Sequence, residues 1–365
     1  MRNTLCVAAL CLGSALSWAA PTYQLIDLTP AEAYGAKAMG INASGQVVMT
    51  ADGGPSSLGN QVLLWTAGQL QRVWTLPPDG RPAATLPSLA DSGDVLFVDF
   101  TPGAATKRLN VWLAASQTTV QPPFTAAAKD VASAMMGPDG RIVATVITGY
   151  TTKTVYPILL PPQTYTSPVT ACLYTAPNGA SATASSTCVK AGVTGLNGNG
   201  KFGTTYSGFL YTSPGLGTFG STTVKNLGRI NGGNGGATTA LSSDGKATGW
   251  VSTKSSGNAA YGHAFLHNGS TLADLGTLGG ASSTGNGVNK AGTVVGYGAN
   301  AAGAFRAFVS TNGAAMRDLN ELVDPAALKG ITLVNALGIN DAGWIVAEGL
   351  DSQSRSHAIL LKPVP

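Results

Sequence analysis

A glycine-bearing turn recurs seven times along the 365 residues of this chain, and each copy opens onto a β-prone stretch. The copies are Ile41-Asn42-Ala43-Ser44-Gly45-Gln46-Val47-Val48, Ala90-Asp91-Ser92-Gly93-Asp94-Val95-Leu96 and Gly137-Pro138-Asp139-Gly140-Arg141-Ile142-Val143, then Leu196-Asn197-Gly198-Asn199-Gly200 and Leu241-Ser242-Ser243-Asp244-Gly245. The last two are Val288-Asn289-Lys290-Ala291-Gly292-Thr293-Val294-Val295 and Ile339-Asn340-Asp341-Ala342-Gly343-Trp344-Ile345-Val346. Their glycines fall 45 to 60 residues apart, and a period of that size marks a propeller or a solenoid. The chemistry is that of a tight hairpin. Asn or Asp bonds its own backbone two residues on, and glycine accepts the positive φ that ends the turn.

Two more strands follow in the well-formed copies. One is Gly262-His263-Ala264-Phe265-Leu266, matched by Phe305-Arg306-Ala307-Phe308-Val309, Gln61-Val62-Leu63-Leu64-Trp65 and Ser356-His357-Ala358-Ile359-Leu360. The other is Leu272-Ala273-Asp274-Leu275-Gly276, matched by Met316-Arg317-Asp318-Leu319 and Val224-Lys225-Asn226-Leu227-Gly228, with Asn268-Gly269 and Asn312-Gly313 as the turns between them. Four strands per repeat make the blade of a propeller. The expected fold is therefore all-β, a seven-bladed β-propeller of four-stranded antiparallel blades. Leu25-Ile26-Asp27-Leu28 matches a fourth strand, and the chain stops after a third strand at Leu361, so the N-terminal strand is expected to complete the last blade and close the ring. An open β-solenoid, the alternative, predicts no such complementarity. Blade boundaries within residues 84–225 are the least defined.

The first residues read Met1-Arg2-Asn3, an apolar run from Leu5 to Leu16, then Ser17-Trp18-Ala19. That is the layout of a secretory leader cut after Ala19, with Ala20 as a close alternative, which leaves residues 20–365 as one repeat domain. The apolar run is shorter than the roughly 20 residues that cross a bilayer, and no later segment offers a span. Charged residues are only 10% of the chain and the net charge is +4, without any run of Lys or Arg, which excludes a nucleic-acid partner because phosphate binding needs clustered cations. Removal of the leader takes Cys6 and Cys11 with it. Cys172 and Cys188 then remain in an oxidising compartment, and an even pair there reads as one disulfide across the strands of the third repeat, with free buried thiols as the alternative.

The run from Gly262-His263-Ala264-Phe265-Leu266 through Asp274-Leu275-Gly276-Thr277-Leu278-Gly279-Gly280 to Gly287-Val288-Asn289-Lys290-Ala291-Gly292-Thr293-Val294-Val295-Gly296 resembles the bacterial HAF-type extracellular repeat, named for its His-Ala-Phe. The likeness extends from Asn226 to Leu361 and again over Gly40–Val48, whereas copies two to four depart from it at the His-Ala-Phe and Asp-Leu-Gly positions. It implies bacterial origin, export and repeat architecture, and it brings no catalytic residues.

Candidates for chemistry are few. His263 and His357 share one strand slot, with Arg306 filling it between them, and such equivalent positions are related by rotation rather than brought together, so neither they nor His267 are expected to hold a metal. Asp27, Asp274 and Asp318 share another slot with Asn226. An amide cannot exchange a proton, so this slot is expected to cap loop backbone rather than catalyse. Gly215-Leu216-Gly217-Thr218-Phe219-Gly220 satisfies a dinucleotide pattern without a strand-to-helix context, and no cofactor is expected from it. The Asn340 turn carries too few carboxylates for Ca²⁺. The expected function is a secreted or cell-surface binding module for a glycan or protein partner, with exposed aromatics such as Tyr150, Tyr165, Tyr206 and Tyr261 as stacking surfaces. The alternative is a secreted hydrolase or lyase acting on polysaccharide or polyester, which needs acids from different blades to converge at the pore.

Overall fold

The computed structural model describes residues 22–53, 58–75, 87–100, 107–122, 130–155, 163–175, 182–185, 193–207, 212–219, 221, 223–254 and 261–364. The leader expected over residues 1–19 lies outside them. The described chain folds into seven antiparallel sheets of four strands each. After β1 (Tyr23–Asp27), the first sheet holds β2 (Gly35–Ile41), β3 (Val47–Gly53), β4 (Leu58–Thr66) and β5 (Gln69–Thr75). The second holds β6 (Ser88–Leu89), β7 (Val95–Phe100), β8 (Lys107–Leu113) and β9 (Thr118–Val120). The third holds β10 (Asp130–Met136), β11 (Ile142–Val155), β12 (Gln163–Thr175) and β13 (Ala182–Ser185). The fourth holds β14 (Gly195–Leu196), β15 (Lys201–Ser207), β16 (Thr212–Thr218) and β17 (Val224–Asn226). The fifth holds β18 (Gly236–Leu241), β19 (Ala247–Ser252), β20 (Gly262–His267) and β21 (Leu272–Asp274). The sixth holds β22 (Gly279–Val288), β23 (Thr293–Asn300), β24 (Phe305–Thr311) and β25 (Arg317–Asp318). In the seventh, β26 (Thr332–Ile339), β27 (Ile345–Leu350) and β28 (Ser356–Pro363) are joined by β1, which runs antiparallel to β28 with Asp27 opposite Ile359.

All seven turn glycines have positive φ, from 72° at Gly200 to 94° at Gly245, as the repeated motif requires. The residue three places before each glycine does more than start a turn. Asn340 accepts the Trp344 N–H at its Oδ1 (3.0 Å) and donates from Nδ2 to the carbonyl of Asn42, the equivalent residue in the first sheet (3.2 Å). Asn42 repeats this on Gln46 and Ala90, Asn197 on Lys201 and Ser242, and Asn289 on Thr293 and Asn340. These four amides are buried. One side chain thus closes its own hairpin and ties its sheet to the next.

The first strands of neighbouring sheets also touch. Asn286 Nδ2 donates to the Ala336 carbonyl (3.0 Å), the Thr239 hydroxyl donates to Gly285, and a Cβ on Gly287 would stand 3.1 Å from the Gly338 backbone. In four sheets the ladder skips one residue shortly before the turn, at Met39, Thr239, Asn286 and Leu337. Such a bulge re-aims a side chain, and here it turns these residues towards the adjoining sheet or into the core beside it.

The core is a series of layers between sheets, fed by alternate residues of the same strand. On β28, Ile359 and Leu361 pack towards the sixth sheet, whereas Ala358 and Leu360 pack towards the first. This explains the His-Ala-Phe slot. Phe265 and Phe308 fill the layer behind their sheets, and Ala264, Ala307 and Ala358, all fully buried, meet the next sheet. Four of the fourth strands, β17, β21, β25 and β1, end at Asn226, Asp274, Asp318 and Asp27, whose side chains turn onto the loop that follows. Cys172 lies on β12 opposite Ser185; its side chain and all of Cys188 fall outside the described residues. Among the described residues no helix is long and apolar enough to cross a membrane.

The double duty of the turn amides can be measured. Asn340→Ala removes a hairpin cap and a buried inter-sheet hydrogen bond together, and denaturant titration should show a loss of about 2 kcal/mol. Lys290→Ala, which removes only the exposed ion pair with Asp341 (3.1 Å), should change stability by less than about 0.5 kcal/mol.

Candidate ligand-binding face

The up-and-down strand order gives the stack two unlike faces. The asparagine turns and the hairpins between third and fourth strands lie on one, the turn face. The other, the loop face, carries the connections from second to third strands and from each sheet to the next. Third strands begin and fourth strands end on the loop face, so the two recurring polar slots meet there. Their cross-strand register follows one rule: Asp274 lies opposite Phe265, Asp27 opposite Ile359, Asp318 opposite Phe308 and Asn226 opposite Gly215.

The capping role expected of the acidic slot is what the geometry shows. Asp274 accepts the Gly276 N–H (2.8 Å), Asp27 that of Thr29 (3.0 Å), Asp318 that of Asn320 (2.9 Å) and Asn226 that of Gly228 (2.8 Å). The basic slot is its partner, a pairing that treating the two slots separately missed. His263 Nδ1 stands 2.9 Å from Asp274, His357 Nδ1 stands 2.9 Å from Asp27, and the Ser213 hydroxyl donates to Asn226 (2.8 Å). The signal was present in the sequence: where the third strand has His the fourth has Asp, and where it has Ser the fourth has Asn. Arg306 departs from the rule and donates to the Phe305 carbonyl.

Burial pushes the Asp274 carboxyl up, but the His263 hydrogen bond, the Gly276 N–H and the charge of His263 outweigh it and hold the group below the usual range. Asp351 is held down to about 2, chiefly by the Arg355 N–H against an opposing burial effect, with the Arg355 side chain and the Gln353 N–H adding to it. A His–carboxylate pair is the core of general-base catalysis, yet here the carboxylate is already engaged by backbone. His267, near the turn face, accepts the Gly269 N–H at Nδ1 (3.2 Å); burial and then Lys225 lower its pKa, which keeps the ring neutral. Among the described residues no group of three or more His, Cys, Asp or Glu is arranged to hold a metal ion.

Other sequence candidates resolve simply. Gly215 to Thr218 lie on β16, paired to β15, and a Cβ on Gly217 would stand 2.1 Å from the Phe202 ring, so this glycine makes room for an aromatic and not for a phosphate. In the Asn340 turn, Asn340 Oδ1 takes the Ala342 and Trp344 N–H groups, and Asp341 takes the Lys290 N–H (2.9 Å) at one oxygen and the Lys290 ammonium (3.1 Å) at the other.

Exposed aromatics gather on the loop face. Tyr34 at the start of the first sheet is 61% exposed, Phe305 at the start of β24 is 50% exposed, and Tyr261 next to β20 is 38% exposed. Phe305 meets Tyr297 edge-on at 5.3 Å, and the Lys254 ammonium lies 3.9 Å from the Tyr261 ring centre. The side chains of Tyr150, Tyr165 and Tyr206 fall outside the described residues.

Solved structures similar to this one are propellers or contain them. The β-propeller domain of the trilobed protease from Pyrococcus furiosus matches with a TM-score of 0.56 at 8% identity, over 90% of this chain and 97% of that one. The acylaminoacyl peptidase of Pyrococcus horikoshii matches with a TM-score of 0.55 at 11% identity, over 89% of this chain and 50% of that one. A structure from a study of two prolyl endopeptidases matches at 0.53 and 11% identity, over 92% and 51%. The chain therefore spans about half the length of these peptidases. At such identities the likeness is one of fold, and it supports a β-propeller. No family model matches the chain, and no curated protein matches it.

The titrating groups give stability a two-step acid limb. His267 binds its proton more weakly when folded, so its contribution is complete above the unfolded value of about 6.5 and fades as pH falls below it. Asp274, also lowered, contributes above about 3.9 and loses that contribution as pH falls through its folded value. Melting temperatures between pH 8 and pH 2 should fall in both windows, and His267→Asn should flatten the first while Asp274→Asn flattens the second.

Proposed function

We propose that this chain is an exported, ring-closed seven-bladed propeller of the HAF-repeat kind whose loop face binds a glycan. The observation that carries the reading is the placement of Tyr34, Tyr261 and Phe305, large exposed rings on three different sheets of one face, with the Lys254 ammonium over Tyr261. Separate rings with polar surroundings suit an extended polymer of stacked sugar units better than a flat protein epitope, whose core is a contiguous apolar patch. Ring closure is supported by β1 on β28, by the Asn340–Asn42 hydrogen bond and by the Lys37–Glu348 ion pair (2.8 Å) between the first and last sheets. Export rests on the leader ending at Ala19.

Glycan arrays probed with the protein from Ala20 onward, with products analysed in the same wells, test this. Retention of an unaltered glycan that weakens at least fivefold in Tyr261→Ala or Phe305→Ala is the expected result. New reducing ends would replace the binding module by a hydrolase, and binding to protein partners alone would move the class of ligand. The proposed Cys172–Cys188 disulfide predicts a mass about 2 Da below that of the reduced chain and no reaction with thiol reagents unless the protein is first reduced.

A further inference from the structure

The seam between the first and last sheets holds a cleft of about 820 Å³. One wall is the end of β1 with the segment that follows it, including Asp27 and Glu32. The other is the β4–β5 hairpin, with Trp65, Ala67 and Leu70, and Lys362 lies between them. The volume falls in the range of small-ligand sites.

Three features mark this cleft. The Lys362 ammonium is fixed between two indoles, 3.8 Å from the Trp344 ring centre and 5.5 Å from that of Trp65, so a donor is held in place by aromatic faces. Leu70 is 43% exposed on the outermost strand of its sheet. The third feature is strain. The loop between β4 and β5 has two residues, Ala67 and Gly68, both at positive φ (48° and 95°), the geometry that favours Asn-Gly. The sixth sheet uses Asn312-Gly313 at 50° and 80° for the same turn. Alanine keeps the strained backbone without the side chain that suits it, and it stands at the rim of the cleft. An asparagine there would project a polar side chain at the opening.

We infer that the seam cleft is a second carbohydrate site, one that takes a short oligosaccharide. The inference rests on the glycan reading above and deepens it. A sugar ring offers an apolar face to Leu70 and the Trp65 edge, hydroxyl oxygens to the Lys362 ammonium, and hydroxyl donors to the carboxylates. Asp27 is held by Thr29 and His357, one bond to each oxygen, and keeps lone pairs for a ligand. The volume accommodates roughly two to four rings. Polymer would be gathered on the loop face and a chain end held at the seam.

The test uses the full mature protein with cellotetraose, maltotetraose and chitotetraose as probes, read by calorimetry and by tryptophan fluorescence. Three variants avoid the core: Ala67→Asn, Glu32→Gln and Leu70→Ser. The expected result is that each weakens tetrasaccharide binding at least fivefold while Lys290→Ala, which removes an exposed ion pair on the turn face, leaves it unchanged. Ala67→Asn should also raise the melting temperature by about 1–3 °C, because it relieves the turn, so its loss of binding cannot be a loss of fold. Tetrasaccharide binding abolished by Phe305→Ala but untouched at the seam would overturn the seam site and leave the loop-face reading standing. Binding of neither tetrasaccharide nor polymer would overturn both.

Discussion

The carboxamide of the turn asparagine is the contact on which this architecture turns. A hairpin cap needs an acceptor at a fixed place, and a sheet-to-sheet tie needs a donor aimed away from it. Asparagine supplies both from one planar group, with Oδ1 on its own turn and Nδ2 on the neighbour. Burial raises the stake, since each group left without a partner would cost its full desolvation. Where the second and third turns carry Ala90 and Gly137 instead, the tie is made differently: Asp91 takes the Ala43 N–H through its carboxylate and gives its own N–H to Pro138. The spacing of the sheets is thus set at the turn face, and the alternating core layers pack to suit it.

Much of that was legible in the sequence, for a physical reason. Positive φ selects glycine almost alone, and the local cap selects Asn, Asp or Ser, so both survive as readable letters even where the strands between them have drifted. The inner-strand bulge was not legible. Met39, Thr239, Asn286 and Leu337 share a place and a job but no chemistry, because two of them reach the next sheet with hydrogen bonds and two with apolar packing. The His–Asp pairs were half legible. Each slot was visible as a repeat, but their meeting depends on cross-strand register, which the hairpin turns determine and the letters alone do not state.

The two faces differ in how much of their polar chemistry the fold consumes. On the turn face nearly every recurring side chain is spent on backbone, which makes that face rigid and repetitive. The loop face spends its recurring Asp and Asn on backbone and its His on those Asp, so what stands exposed there is what does not recur: Tyr34, Tyr261 with Lys254 over it, and Phe305. Recognition in a repeat protein belongs to such exceptions. They are also what sequence reasoning handles worst, since a residue that appears once in seven copies carries no pattern by which to find it.

The seam is the largest exception of all. In six of the sheets the fourth strand is the next strand along the chain after the third, and the seventh takes its fourth strand from the opposite end of the sequence. No turn therefore ties β28 to β1, and near the end of β28 Lys362 stacks on Trp344 instead. Ala67 shows the direction of the resulting selection. A turn elsewhere made with asparagine keeps its costly geometry here and drops the side chain that would ease it. A stability-driven sequence would restore that side chain; one that keeps the cleft open would not.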